Sequence, residues 1–113
     1  MNAFEGVVMG QLSVLVHAGV PARGVRLTVR ELMVTQLERG PLGAREVSVA
    51  MEAMARAACR LVREHGAPDD VVELVCRAAL DAVRGHGGQS ARWLHDATTT
   101  VDVVLAEMAG GRR

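Results

Sequence analysis

The sequence predicts an all-α protein, a compact helical bundle of four to five helices. Half of the 113 residues are apolar, yet Phe4 and Trp93 are the only large aromatic residues, and isoleucine and tyrosine are absent. A core of valine, leucine, alanine and methionine suits packing between helices, whereas strands favour β-branched and aromatic side chains. Apolar residues recur at helical spacing, and glycine and proline divide the chain into five segments. We expect residues 1–113 to form a single helical domain, since a chain of this length fits one domain.

The first segment, from about Ala3 to His17, is apolar on nearly every side. No charged residue occurs between Gly6 and Val16, and a helix of this kind is either central in its fold or buried in an oligomer. Two glycines four positions apart leave one face with little side-chain bulk, so another helix can pack closely there. We therefore expect an interaction face that includes Gly6, Val8, Gly10 and Leu12. The alternative is that this helix is simply the centre of the bundle.

The second segment runs from about Val25 to Arg39. Thr28 and Glu31 have the spacing of a capping box, which predicts that the regular helix starts only at Val29. A glycine and a proline directly after the segment end the helix.

The third segment, Ala44–His65, has the clearest helical pattern. Its apolar residues recur every three or four positions, and its opposite face carries most of its charged residues. Glu52 precedes Arg56 by four positions, which is the favourable orientation for an ion pair on a helix. The residues predicted to face the core are Val47, Ala50, Met51, Met54, Ala58, Leu61 and Val62.

The fourth segment, which begins at Pro68 and runs to about Arg84, is expected to form an antiparallel hairpin with the third. Asp70 has approximately the capping-box spacing with Glu73. A turn at residues 66–68 places Cys59 and Cys76 at the same height on the two helices. Buried cysteines usually act as small apolar residues, so we expect two reduced thiols without a catalytic role.

The fifth segment starts near Ser90 and keeps helical spacing to its end. The run Thr98–Thr100 disfavours a regular helix because β-branched residues lose rotamer freedom in a helix, so the alternative is a break or kink in this run. The glycine-rich end of the chain is expected to be a frayed tail from about residue 109.

No catalytic, cofactor or metal site is predicted. No two histidines have the spacing of a metal-binding helix motif, and no acidic residue is placed to orient an imidazole beside Ser13. The helix dipole favours a protonated imidazole at a helix end, which accounts for the position of three of the four histidines without a ligand. The histidines are His17, His65, His86 and His95.

A nucleic-acid interface is the alternative that the sequence leaves open. The second and third helices with their short connection, residues 40–43, have the order of elements that begins a helix-turn-helix module. The expected contacts are a basic stripe on the third helix, made of Arg56, Arg60 and Arg63. Two glutamates interrupt this stripe, no pair of strands follows it, and the net charge is near zero, which disfavours a strong polyanion binder.

The sequence thus favours a non-enzymatic protein–protein interaction module that is a homo-oligomer. It would serve as a small adaptor, assembly factor or accessory subunit of a bacterial-type complex, and the alternative is a helical DNA-binding regulator. The first apolar stretch has no basic region before it and is too short to cross a membrane. Two cysteines are too few for a disulfide framework, so we expect a cytoplasmic protein.

Overall fold

Five α-helices follow one another along the described part of the chain. The computed structural model describes residues 2–39, 43–86 and 90–110. These residues include no strand, which confirms the all-α prediction. The helices are α1 (Ala3–His17), α2 (Ala22–Leu37), α3 (Ala44–His65), α4 (Asp70–Arg84) and α5 (Ser90–Gly110).

The centre of the bundle is α3. It packs against α1, α4 and α5, while α2 lies chiefly against α4. Ten of the 22 residues of α3 are buried, and five of these ten are alanines. Because the distance between helix axes depends on the side chains at the contact, these alanines allow several helices to approach α3 closely. Of the core residues predicted on α3, all are buried except Val62, which is partly buried.

A left-handed glycine ends α3 and starts the predicted hairpin with α4. Gly66 has a φ angle of 68°, a backbone conformation that glycine adopts without the steric cost of a Cβ atom. The Ala67 N–H donates a hydrogen bond to the Leu61 carbonyl at 3.1 Å. The chain therefore reverses within a few residues, and α4 packs back against α3.

The two predicted capping boxes do not form. The helix α2 starts at Ala22, directly after Pro21, so Thr28 lies inside the helix instead of ahead of it. Pro21 has a φ angle of −60°, and the fixed φ of proline suits the beginning of a helix. At the start of α4, Asp70 is already the first helical residue, and Asp69, which precedes it at the cap position, makes no capping hydrogen bond through its side chain. Glu73 instead accepts a hydrogen bond from an arginine one turn later, at 2.7 Å.

The helix α5 passes through its threonines without a break. The hydroxyls of Thr98, Thr99 and Thr100 donate to the carbonyl four residues earlier, at 2.7, 3.1 and 2.9 Å. These bonds keep each hydroxyl inside the helical pattern, so the run is compatible with a regular helix. The helix continues to Gly110, and residues 111–113 of the predicted tail lie outside the described residues.

The radius of gyration, 13.2 Å, is about that of a compact chain of this length. None of the described helices combines the length and the apolar character that crossing a membrane requires.

Candidate functional site

The four residues expected to form an interaction face lie on two opposite sides of α1. Val8 and Leu12 have no exposed surface and belong to the core of this chain. Gly6 and Gly10 are exposed, and a Cβ atom added at Gly10 meets nothing within 4 Å. The predicted set therefore does not form one surface. The sequence could not separate the two sides, because α1 is apolar on both.

The outward side of α1 is an uncharged strip that extends over three helical turns. Val7 is 52% exposed and Val14 is 65% exposed. Few large apolar side chains of the described residues are exposed in this way. Residues at positions i, i+4, i+7 and i+11 share one face of a helix. We call this strip the outer face of α1, and its residues are Ala3, Val7, Gly10 and Val14.

The one charged side chain near the start of α1 points inward. Glu5 is 6% exposed, and among the described residues it is the charged side chain that is buried. Arg60 on α3 donates to the Glu5 carboxylate at 3.2 Å and to Glu64 at 2.7 Å. Hydrogen bonds from Arg60 lower the pKa of the Glu64 carboxyl below its ordinary value. The Glu5 backbone N–H also donates to the Asn2 side chain, which caps the helix. This network lies on the same side of α1 as the buried Val8 and Leu12, and the outer face carries no charge because none of its four residues is charged.

A groove of about 280 Å³ lies between α1 and α2, beside the outer face. We call it the α1–α2 groove. Apolar side chains from both helices line it, among them Phe4, Val7 and Leu32. Glu31 and Arg39, both exposed and of opposite charge, also line it. The groove and the outer face together form a continuous surface with Ala3 and Val7 in common.

The arginine stripe predicted for nucleic acid is largely engaged within the chain. Arg56 donates to Glu52 at 3.3 Å and to Glu107 at 2.9 Å, and these carboxylates raise the pKa of its guanidinium. Arg60 is held by the two glutamates described above, and Arg63 is exposed. Each paired guanidinium would have to break its hydrogen bonds to these carboxylates before it could bind a phosphate.

A second arginine stripe, which the sequence analysis missed, lies on the exposed side of α2. Arg23, Arg26 and Arg30 are all exposed and have the i, i+3, i+7 spacing of one helix face. None of them is in an ion pair with another described residue. The absence of acidic residues between positions 22 and 30 is the sequence signal that could have found this stripe.

Both cysteines are buried, and neither forms a disulfide. Burial, with a smaller contribution from Cys59, raises the pKa of the Cys76 thiol to about 12. A thiol with such a pKa is protonated at neutral pH and is a poor nucleophile and metal ligand. The position of Cys76 therefore favours the structural role expected from the sequence.

Comparison with known families, curated proteins and solved structures gives no match for this chain. Among the described residues, no three histidine, cysteine or acidic side chains are grouped to hold a metal ion.

Proposed function

We propose that this chain is a non-enzymatic interaction module whose docking surface is the outer face of α1 together with the α1–α2 groove. The observation that carries the proposal is the exposure of Val7 and Val14 on a helix face without charge. Exposed apolar surface next to a groove is typical of sites that bind another protein. A small adaptor, assembly factor or accessory subunit is the class of protein that this surface fits.

A second copy of the chain is the partner that the charges of the groove favour. In a two-fold symmetric dimer, every contact between a residue of one copy and a residue of the other occurs twice, with the two copies exchanged. If the α2 helices run antiparallel and the two-fold axis passes near Thr35, Glu31 of one copy faces Arg39 of the other at two equivalent contacts. Arg39 lies just beyond the end of α2. The net charge of the chain is zero, so charge repulsion does not oppose association.

The open backbone at Gly10 supports the same arrangement. Apart from the two neighbouring residues and the backbone of α1 itself, no atom lies within 4 Å of the position that a Cβ atom would take, so another helix can approach the backbone of α1 there. Val7 and Val14 flank this position by about one turn on each side. They would contact the equivalent helix of the second copy, where their burial away from water stabilises the dimer.

Sedimentation velocity on variants of the outer face tests this proposal. We expect the wild-type chain to have twice the mass of the 12.0 kDa monomer. Val7→Glu and Val14→Glu should each give a folded monomer, because each places an unpaired carboxylate in the interface, weakening association about tenfold or more. Val103→Glu on α5 is the matched control, since Val103 is as exposed as Val7, at 52%.

A folded wild-type monomer at high micromolar concentration would contradict the proposal, as would equal loss of dimer in the Val103→Glu control. Val8→Glu and Leu12→Glu do not test it, because those side chains lie in the core.

Nucleic-acid binding is the second candidate, and the unpaired stripe on α2 is the observation that favours it. Phosphate contacts by arginine release counterions, so binding should weaken steeply with salt. If this candidate is right, replacing Arg23, Arg26 and Arg30 by alanine removes binding in a low-salt gel shift. Arg56→Ala is the control with little effect, since its guanidinium is already paired. No shift of duplex DNA by the wild-type chain would exclude this candidate.

The buried thiols support a reducing compartment for the module, since such cysteines persist where thiols stay reduced. A cytoplasmic location is therefore part of the proposal.

A further inference from the structure

Two histidines that are distant in sequence meet at one end of the bundle. His17 is the last residue of α1 and His65 is the last residue of α3. Their ring centroids are 5.5 Å apart, and the ring planes are inclined by 57°. Both residues are exposed, so solvent and ions reach the space beside the rings. No sequence motif could reveal this pair, because its members belong to different helices.

The separation of the rings matches that of two imidazoles bound to one metal ion. A metal ion bonded to one nitrogen of each ring at 2.0–2.1 Å, with a tetrahedral angle between the bonds, places the ring centroids about 5.2 Å apart. The observed distance differs from this value by a few tenths of an ångström. The tilt between the planes is also compatible with a chelate, in which the rings need not be stacked.

The two helix ends favour a shared cation. Each helix end directs unpaired carbonyl groups and negative dipole charge toward its last residue, and this favours a positive charge there. Two protonated imidazoles at this distance repel each other. One metal ion bound by both neutral rings supplies the positive charge to both helix ends without that repulsion. Glu64, beside His65, is already bonded to Arg60, so water completes the coordination.

We propose that His17 and His65 chelate one divalent transition-metal ion of the class that prefers imidazole, such as Zn²⁺, Ni²⁺ or Cu²⁺. The ion fastens the end of α1 to the end of α3. With two protein ligands and exposed rings, the site exchanges its metal readily, in contrast to the closed four-ligand sites of structural zinc. The site lies about one turn beyond Val14, past the end of the outer face of α1, and it does not depend on docking at that face or at the α1–α2 groove.

Calorimetric titration with NiCl₂ tests the site, using the full chain freed of metal by a chelator. We expect one Ni²⁺ per chain, and loss of this binding in both His17→Ala and His65→Ala. His17→Gln is a second variant that keeps a polar side chain at the helix end. His86→Ala and His95→Ala are the matched controls, and both should bind Ni²⁺ as the wild-type chain does. Equal binding in His17→Ala, or no binding by the wild-type chain, would overturn the proposal.

Unfolding in the same metal gives an independent readout. An ion that binds only the folded chain raises the ratio of folded to unfolded chain about a hundredfold when its concentration is a hundred times its Kd. We expect this stabilisation in the wild-type chain and in His95→Ala, and its reversal by EDTA. Sedimentation velocity with and without Ni²⁺ should give the same mass, since both ligands belong to one chain. A mass that rises only with Ni²⁺ would show a metal bridge between copies and contradict the intramolecular site, whether or not the outer face of α1 associates.

Discussion

The stability of this chain should fall with pH above about 9 because of one buried thiol. Cys76 is 5% exposed, and its burial, with a smaller effect from Cys59, raises its pKa from 9.0 to about 12. The chain has no lysine and no tyrosine. The thiols are therefore the only side chains with ordinary pKa values between those of histidine and arginine, and the alkaline range isolates them.

The sign and size of the effect follow from linkage. In the unfolded chain the Cys76 thiol loses its proton near pH 9, whereas in the folded chain it keeps the proton until about pH 12. The stabilisation from the protonated thiol is complete below pH 9 and is lost as the pH rises toward 12. The free energy of unfolding falls by about 1.4 kcal/mol per pH unit within this window. Roughly 2 kcal/mol of stability should therefore be lost between pH 9 and 10.5.

Urea unfolding at pH 8.5, 9.5 and 10.5, followed by circular dichroism in the presence of a phosphine reductant, measures this slope. Cys76→Ala should be less stable at pH 8.5 because a buried side chain is truncated, but its stability should depend less on pH. The quantity to compare is the slope of the unfolding free energy against pH in the wild-type chain and in Cys76→Ala. Cys59→Ala is measured in the same way. Equal slopes for the wild-type chain and Cys76→Ala would refute the reasoning, since they would mean that Cys76 is not the thiol kept protonated by burial.

Three further variants test the packing that orients α1 and ends α3. Arg60→Ala should lower the urea midpoint because it leaves the Glu5 carboxylate buried without its partner, and adding Glu5→Gln should recover part of the loss. Gly66→Ala should cost about 1–2 kcal/mol in urea unfolding, because φ is 68° at that position and alanine is strained there. Leu12→Glu should abolish cooperative thermal unfolding, since it places a carboxylate in the core at a side chain with no exposed surface.

Helical periodicity was sufficient for most of the fold. The pattern of α3 predicted both its bounds and its buried face, because strong segregation of charge leaves one orientation in which the charges reach water. The start of α2 was misplaced because Pro21 and Thr28 both offer helix-start signals, and the proline prevails. The threonines of α5 were judged by propensity alone, which does not include the hydrogen bonds that their hydroxyls make within the helix.

The candidate surfaces were harder to predict because each depends on tertiary packing. A helix that is apolar on every side gives no signal for which face meets the core. Glu5 pairs with Arg60 on the core side of α1, and the sequence alone cannot show that this pair forms. The exposure of Val7 and Val14 depends on how α1 packs on the other helices. The meeting of His17 with His65 depends on how α1 crosses α3, which no local pattern contains.

Mixing two charge-reversal variants tests the proposed dimer most directly. Glu31→Arg places like charges opposite each other at both symmetry-related contacts, and so does Arg39→Glu. Each variant alone should therefore sediment as a folded monomer. An equimolar mixture should form a dimer, because every contact then pairs one arginine with one glutamate across the axis. Monomers in the mixture, or dimers of either variant alone as stable as the wild-type dimer, would contradict docking of a second copy through the α1–α2 groove.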